Sequence, residues 1–143
     1  MNIGGINLDY PIIEIDGIGP EYKDKLAGLD INTTQELLKR ARTPNMREKL
    51  ADEAGISEKL ILEWANLADL MRIKGVGEEW SDLLEEVGVD TVPELAERNP
   101  NNLWEATEEF DVSKTHLVRK KPTKDQVADW IEQAKGLDRS LEY

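Results

Sequence analysis

The sequence contains no cysteine among its 143 residues. Disulfide cross-links, thiolate zinc sites and cysteine nucleophiles are therefore excluded. There is one histidine, and the HExxH, GxSxG and P-loop patterns that identify common catalytic sites are missing. We accordingly expect a protein that is not an enzyme and that uses no metal or cofactor.

Long apolar segments are also missing at the N-terminus. The first residues, MNIGGINLDYPII, contain no Lys or Arg and no sustained apolar run. This pattern fits neither a secretory signal nor a transmembrane helix. We expect a cytoplasmic protein that does not associate with membranes.

Positive charge is scarce, because 18 Lys and Arg stand against 30 Asp and Glu, for a net charge of -12. Such a surplus of negative charge repels nucleic acid at long range. Acidic proteins still bind DNA through local basic patches, so a nucleic-acid partner stays open. A protein partner is the favoured expectation.

What the sequence does contain is an internal repeat. Residues 15–38, IDGIGPEYKDKLAGLDINTTQELL, align without a gap with residues 73–96, IKGVGEEWSDLLEEVGVDTVPELA, with nine identities. Weaker similarity continues downstream and makes Trp64 the counterpart of Trp130, after an insert of about ten residues in the second copy. We expect four segments: an N-terminal arm (1–9), a first repeat (10–71), a second repeat (72–137) and a C-terminal tail (138–143).

Each repeat opens with two glycines that flank one apolar residue, Gly17-Ile18-Gly19 and Gly75-Val76-Gly77. This pattern predicts a tight turn with a positive φ or a close backbone approach, in which the apolar residue is buried. Pro20 follows directly and suits the first position of a helix. A helix should therefore start just after each turn.

The rest of each repeat has helical periodicity and helix start signals. Tyr22, Leu26 and Leu29 form one apolar stripe. The segments TTQE (33–36) and TVPE (91–94) predict capping boxes, and Ser57 and Thr123 mark the starts of longer helices. Since no segment alternates with period two, we predict an all-α fold in which the two repeats pack as one compact helical domain.

These motifs resemble the helix-hairpin-helix superfamily, a SAM-like fold in which a leucine follows the second glycine by seven residues, as Leu26 and Leu84 do here. The ordered set of motifs over roughly residues 10–137 is similar to a bacterial and archaeal family of tandem helix-hairpin-helix proteins classed as a domain of unknown function (DUF4332-like). The resemblance implies a fold and no established activity. The chain departs from the superfamily pattern where a small residue is usual, with Lys23 in one copy and Ser81 in the other.

In DNA-binding members of the superfamily, the turn amides donate to a backbone phosphate. The resemblance thus makes six residues anion-binding candidates: Gly17, Ile18, Gly19, Gly75, Val76 and Gly77. However, Glu21, Glu78 and Glu79 follow the turns, and two like charges about 5 Å apart repel by roughly 1 kcal/mol in water. The favoured interpretation is that these glutamates simply complement the helix dipole, at about 0.3 to 1 kcal/mol each.

Basic residues cluster in the insert of the second copy, and a nucleic acid would be expected to bind there: Lys114, Arg119, Lys120, Lys121 and Lys124. The alternative is a solvated loop whose charges offset neighbouring acids. A second basic group lies in residues 39–49. The four tryptophans could form a binding face, but their matched positions in the repeats favour a core role.

The C-terminal helix suggests a hypothesis about assembly. Residues 60–70 lead into the second turn, whereas their counterparts, residues 125–135, lead into no further turn. We therefore expect the C-terminal helix to pack beside the first turn, with Trp130 near Tyr22 and Ile18. Within one chain this closes the domain, and between chains it produces a homo-oligomer.

The expected function is that of a non-catalytic helix-hairpin-helix interaction module that binds a protein partner. The alternative is weak, sequence-independent binding of a DNA or RNA backbone through the turn amides and the basic loop of residues 114–124. The two differ in salt dependence, because contacts with phosphates weaken steeply as salt rises.

Overall fold

A computed structural model describes residues 8–114 and 120–143. Within these ranges the chain is all-helical and forms no strand, so the all-α part of the fold prediction is confirmed. None of the described helices is both long and apolar enough to cross a bilayer. The helices are α1 (Pro20–Ala27), α2 (Thr34–Arg40), α3 (Pro44–Ala54), α4 (Glu58–Leu70), α5 (Glu78–Glu86), α6 (Val92–Ala96), α7 (Pro100–Glu109) and α8 (Lys124–Lys135).

Most helices start at a side chain that caps the first turn. In each case a hydroxyl or amide oxygen accepts a hydrogen bond from a backbone N–H three residues on, which satisfies a donor without an intrahelical partner. The capping residues are Thr33, Thr43, Ser57, Thr91, Asn99 and Thr123. The predicted starts at Ser57 and Thr123 are therefore confirmed.

The two predicted capping boxes are only half right. Thr33 and Thr91 cap their helices, but neither glutamate returns a bond to the backbone of its own cap. Glu36 accepts from the N–H of Asn32 at 2.9 Å, and Glu94 accepts from the hydroxyl of Thr91 at 3.1 Å. The complete reciprocal box lies instead at Thr123, where Gln126 accepts from the cap N–H at 2.8 Å.

The two glycine turns have matching backbone geometry. Gly17 and Gly75 both have a φ of 96°, a conformation that glycine adopts at little cost. One residue later, the N–H of Ile18 donates to the carbonyl of Ile15 at 3.1 Å, and Val76 does the same to Ile73 at 3.0 Å. Ile18 and Val76 are buried, as predicted.

The buried side chains form two clusters that meet along α4. The first cluster contains α4 residues Trp64 and Leu67, and the second contains Leu70 from the same helix. Neighbouring positions on a helix point to different sides, so α4 can serve both clusters at once. This helix therefore joins the two halves of the molecule.

The expectation that the C-terminal helix packs beside the first turn is wrong. Trp130 of α8 belongs to the second cluster, with its ring 5.3 Å from that of Trp80. The matching place beside Tyr22 is taken by Trp64 of α4, at a ring distance of 5.0 Å. Each half is thus completed by its own last long helix within the chain, and a homo-oligomer through α8 stays a prediction.

The buried carboxylate of Asp69 in α4 forms a hydrogen bond with the second half of the molecule. Asp69 is 1 % exposed, and its Oδ2 accepts from the N–H of Val92 at 2.8 Å while its Oδ1 accepts from Arg72 at 2.8 Å. The first half has a similar arrangement, because Asp9 accepts from the N–H of Gln35 at 3.1 Å. In both halves an aspartate that precedes the turn caps the second helix of the unit.

The C-terminal tail returns to the first half. Leu141 is 2 % exposed and belongs to the first cluster. The N–H of Glu142 donates to the carbonyl of Arg42 at 2.8 Å, and the guanidinium of buried Arg47 donates to the Glu142 carbonyl at 2.8 Å. Tyr143 donates from its hydroxyl to Asn66 at 2.7 Å. The tail is therefore part of the fold of the first half.

Candidate functional site

The six predicted turn residues lie at the starts of α1 and α5. Gly19 and Gly77 are the N-caps, and the first intrahelical bonds run from Lys23 to Gly19 and from Ser81 to Gly77, both at 2.9 Å. The amides just before these bonds have no acceptor within the helix, as at every helix N-terminus. Each turn therefore offers backbone donors at the positive end of a helix.

A tryptophan side chain packs against the first glycine of each turn. A Cβ placed on Gly17 would lie 3.1 Å from the Nε1 atom of Trp64, and one placed on Gly75 would lie 3.3 Å from that of Trp130. Both tryptophans are at most 2 % exposed, so their predicted core role is confirmed. The repeat alignment pairs these two residues, but spacing alone did not indicate that they contact the glycines.

Glutamates follow both glycine turns, in the first turn of α1 and of α5. Glu21 is exposed in the first turn of α1. At the second turn, Glu78 and Glu79 line a shallow cleft of about 350 Å³ together with the glycines and Trp80. Side chains of this charge complement a helix N-terminus. The arrangement is the one expected if the glutamates take the place of an anion.

The described part of the basic loop, residues 120–124, contacts the second half of the molecule. The carbonyl of Lys120 accepts from the indole N–H of Trp80 at 2.9 Å, and the ammonium of Lys121 donates to the carbonyl of Glu108. The ammonium of Lys124 lies 5.8 Å from the ring centre of Trp104. Residues 120–124 of the loop therefore lie beside the second turn, where Lys120 accepts the hydrogen bond from Trp80. Arg119 and His116 lie outside the described residues.

The start of the loop is ordered by Asp111. Its carboxylate accepts from the hydroxyl of Ser113 at 2.7 Å and from the N–H of the same residue at 3.0 Å. These two bonds, with a smaller contribution from Lys114, hold the pKa of Asp111 below its ordinary value. Exposed Lys114 thus lies at the end of a short, fixed turn.

Acidic side chains gather where α4 meets α5. Burial, the largest cause, and the nearby carboxylates of Glu63, Asp82 and Asp90 together raise the pKa of Glu85 to about 7. Among the described residues no group of three or more His, Asp or Glu has an arrangement that could hold a metal ion. Glu63 of α4 and Glu85 of α5 lie where these two helices pack together.

A groove that sequence reasoning missed lies where the N-terminal segment, α2 and the C-terminal tail meet. It encloses about 290 Å³ and combines apolar, amide and cationic side chains. Its walls come from distant parts of the chain, so no local motif could reveal it. We call it the junction groove, and it is lined by Leu8, Gln35, Leu38, Lys39, Arg72, Leu137 and Ser140.

Together these features define a class: an all-helical protein of two similar halves, each with a glycine turn backed by a tryptophan. Residues 16–137 match the family described as Domain of unknown function (DUF4332), and the chain belongs to that family. No curated protein and no solved structure matches the chain.

Proposed function

We propose that this chain is a non-catalytic interaction module that binds a protein partner in the cytoplasm, and that its halves are tandem helix-hairpin-helix units. The matched φ of 96° at Gly17 and Gly75 and the helix starts after Gly19 and Gly77 support the tandem arrangement. The internal repeat supports it independently.

One observation carries the choice of a protein partner, namely the junction groove. Recognition sites for protein side chains and small ligands are concave and mostly apolar, with a few polar groups that fix orientation. The junction groove has this composition, since three leucines line it beside an amide, a hydroxyl and two cations. The glycine turns are flanked by carboxylates and suit an anion less well.

The experiment is affinity capture with the full chain, followed by reconstitution. A captured protein is identified, purified separately and mixed with the chain, and the mass of the product is measured by light scattering. We expect a complex of fixed stoichiometry that persists at moderate salt. Failure of every captured protein to form such a complex would overturn the proposal.

A second candidate function, binding of a nucleic-acid backbone, is favoured by the hydrogen bond between Trp80 and Lys120. This bond holds Lys120 beside the second turn, so one nucleic-acid strand has room to contact both the lysines of residues 120–124 and the turn amides. Phosphate contacts of this kind carry no sequence preference.

A mobility-shift assay at low salt tests this second candidate. We expect binding that weakens steeply with salt and is lost when Arg119, Lys120 and Lys121 are all replaced by Glu. A triple replacement of Lys49, Lys59 and Lys135 by Glu makes the same change in net charge elsewhere and serves as the control. Equal losses in the two variants would indicate a general charge effect and contradict a site at the loop.

A further inference from the structure

We infer that the junction groove binds a short segment of the partner protein in which an apolar side chain lies next to an acidic one. This inference rests on the proposed function and specifies the chemistry of the partner. It assigns the apolar contact to the leucines of the groove and the selection of the acidic residue to Lys39.

Hydrogen bonds within the chain fix the segments that form the walls of the groove. The side-chain amide of Gln35 donates to the carbonyl of Leu8 at 2.8 Å and joins α2 to the N-terminal segment. Arg72 donates to the carbonyl of Asp138 at 2.6 Å and to the carboxylate of Asp69 at 2.8 Å, which fixes the C-terminal tail. A preformed site of this kind loses little entropy when a ligand binds.

The size and lining of the groove indicate what fits. Its volume of about 290 Å³ leaves room for one or two side chains and too little for a whole helix. Leu137 is 37 % exposed at the rim, while Leu38 is 7 % exposed and forms part of the wall. An apolar side chain placed there would cover the exposed part of Leu137.

The cationic side chains of the junction groove determine which charge the bound segment carries. Arg72 is neutralised by the buried carboxylate of Asp69. Lys39 is exposed, and no ion pair to it is found within residues 8–114 and 120–143. A groove with one uncompensated cation favours an acidic neighbour over a basic one, in contrast to the net charge of -12 of the whole chain.

The test is titration of the full chain with three fluorescently labelled hexapeptides, SELLES, SQLLQS and SKLLKS, each acetylated and amidated. We expect the acidic peptide to bind at least threefold more tightly than the neutral one, and the basic peptide to bind most weakly. Lys39→Glu should reverse this order. Lys59→Glu, which makes the same charge change at an exposed position outside the groove, should leave the order unchanged.

A second variant examines the apolar contact. Leu137→Ser should weaken all three peptides by a similar factor, since it removes part of the apolar rim without altering charge. Because Leu137 is partly exposed, this variant should remain folded, which circular dichroism verifies. Binding that ignores peptide charge, an order unaffected by Lys39→Glu, or absence of binding to all three peptides would each overturn the inference.

The outcome for the groove is separable from the outcome for the proposed function. If Lys39→Glu and Leu137→Ser both leave the reconstituted partner complex intact, the inference about the groove fails while the interaction module stands. If no reconstituted complex forms with the unaltered chain, the proposed function itself fails, whatever the peptides show.

Discussion

Gly17 and Gly75 combine a positive φ with a tryptophan ring at close range, and each of these features alone disfavours a side chain. The φ of 96° strains any residue that has a Cβ. The gap of 3.1 Å to Trp64 at Gly17 leaves a methyl group too little room unless the ring moves. The turn and the tryptophan therefore constrain each other.

Replacing Gly17 by Ala should lower the free energy of unfolding by about 2 kcal/mol, from backbone strain and from displacement of Trp64. Denaturant unfolding followed by tryptophan fluorescence measures the change. Gly28→Ala is the matched control, because Gly28 has helical φ and ψ of -63° and -17° and a Cβ there would meet its neighbours at ordinary distances. A loss of the same size in both variants would contradict the special role of Gly17.

At this scale the sequence predicted the turn glycines and their buried neighbours Ile18 and Val76. It did not predict the role of Arg47, which belongs to the basic group of residues 39–49. The structure buries its side chain and directs it to the carbonyls of Ala41, Arg42 and Glu142. One of these acceptors lies 95 residues away in the chain, and no local pattern reports a contact of that range.

The packing of α5 against α4 places like charges at a helix interface. Glu85 of α5 is partly buried and has Glu63 of α4 nearby, so its ionised form is disfavoured in the folded state. The raised pKa means that the folded chain holds a proton more tightly than the unfolded chain. The free energy of unfolding should therefore fall as the pH rises from about 4.5 to about 7.

Glu85→Gln should remove this contribution to the pH dependence and raise the free energy of unfolding at pH 8 by about 1 kcal/mol, after allowance for the solvent exposure of the side chain. Urea unfolding at pH 5, 6, 7 and 8 gives the curve. Glu105→Gln makes the same change at an exposed position on α7 and is the control. If the two variants have parallel curves, Glu85 makes no special contribution.

Helix starts were predictable from the sequence because caps are local, and Ser57, Thr33 and Thr123 begin helices as predicted. The position of α8 in the fold could not be predicted from the sequence. The repeat alignment showed that α8 corresponds to α4 but not which turn α8 packs against. Trp80 and Trp130 settle that question through a tertiary contact of 5.3 Å. Similarity between repeats thus identifies equivalent elements without assigning their neighbours.

Among the described residues, three features help to join the two halves: α4 contributes to both cores, Asp69 caps α6, and Leu141 of the tail enters the first core. The repeats were predictable, but the return of residues 138–143 to the first half was not, since the segment is short and has no helical periodicity. The junction groove was missed for the same reason, because the tail forms one of its walls.

Leu141→Ala should lower the free energy of unfolding by about 2 to 4 kcal/mol, as for other buried leucines. The effect should concentrate in the first half, so that amide hydrogen exchange accelerates more within residues 10–71 than within residues 72–137. Leu137→Ala, at a partly exposed position of the same segment, should cost much less. Uniform acceleration across both halves would show that the tail stabilises the molecule as a whole.

The position of Leu141 also bears on how the chain acquires its structure during synthesis. The leucine that completes the core of residues 12–71 is translated about seventy residues after residue 71. At ordinary elongation rates of roughly 5–20 residues per second, the nascent first half waits several seconds for its last buried side chain. It must therefore persist through translation of the second half with a gap in its interior.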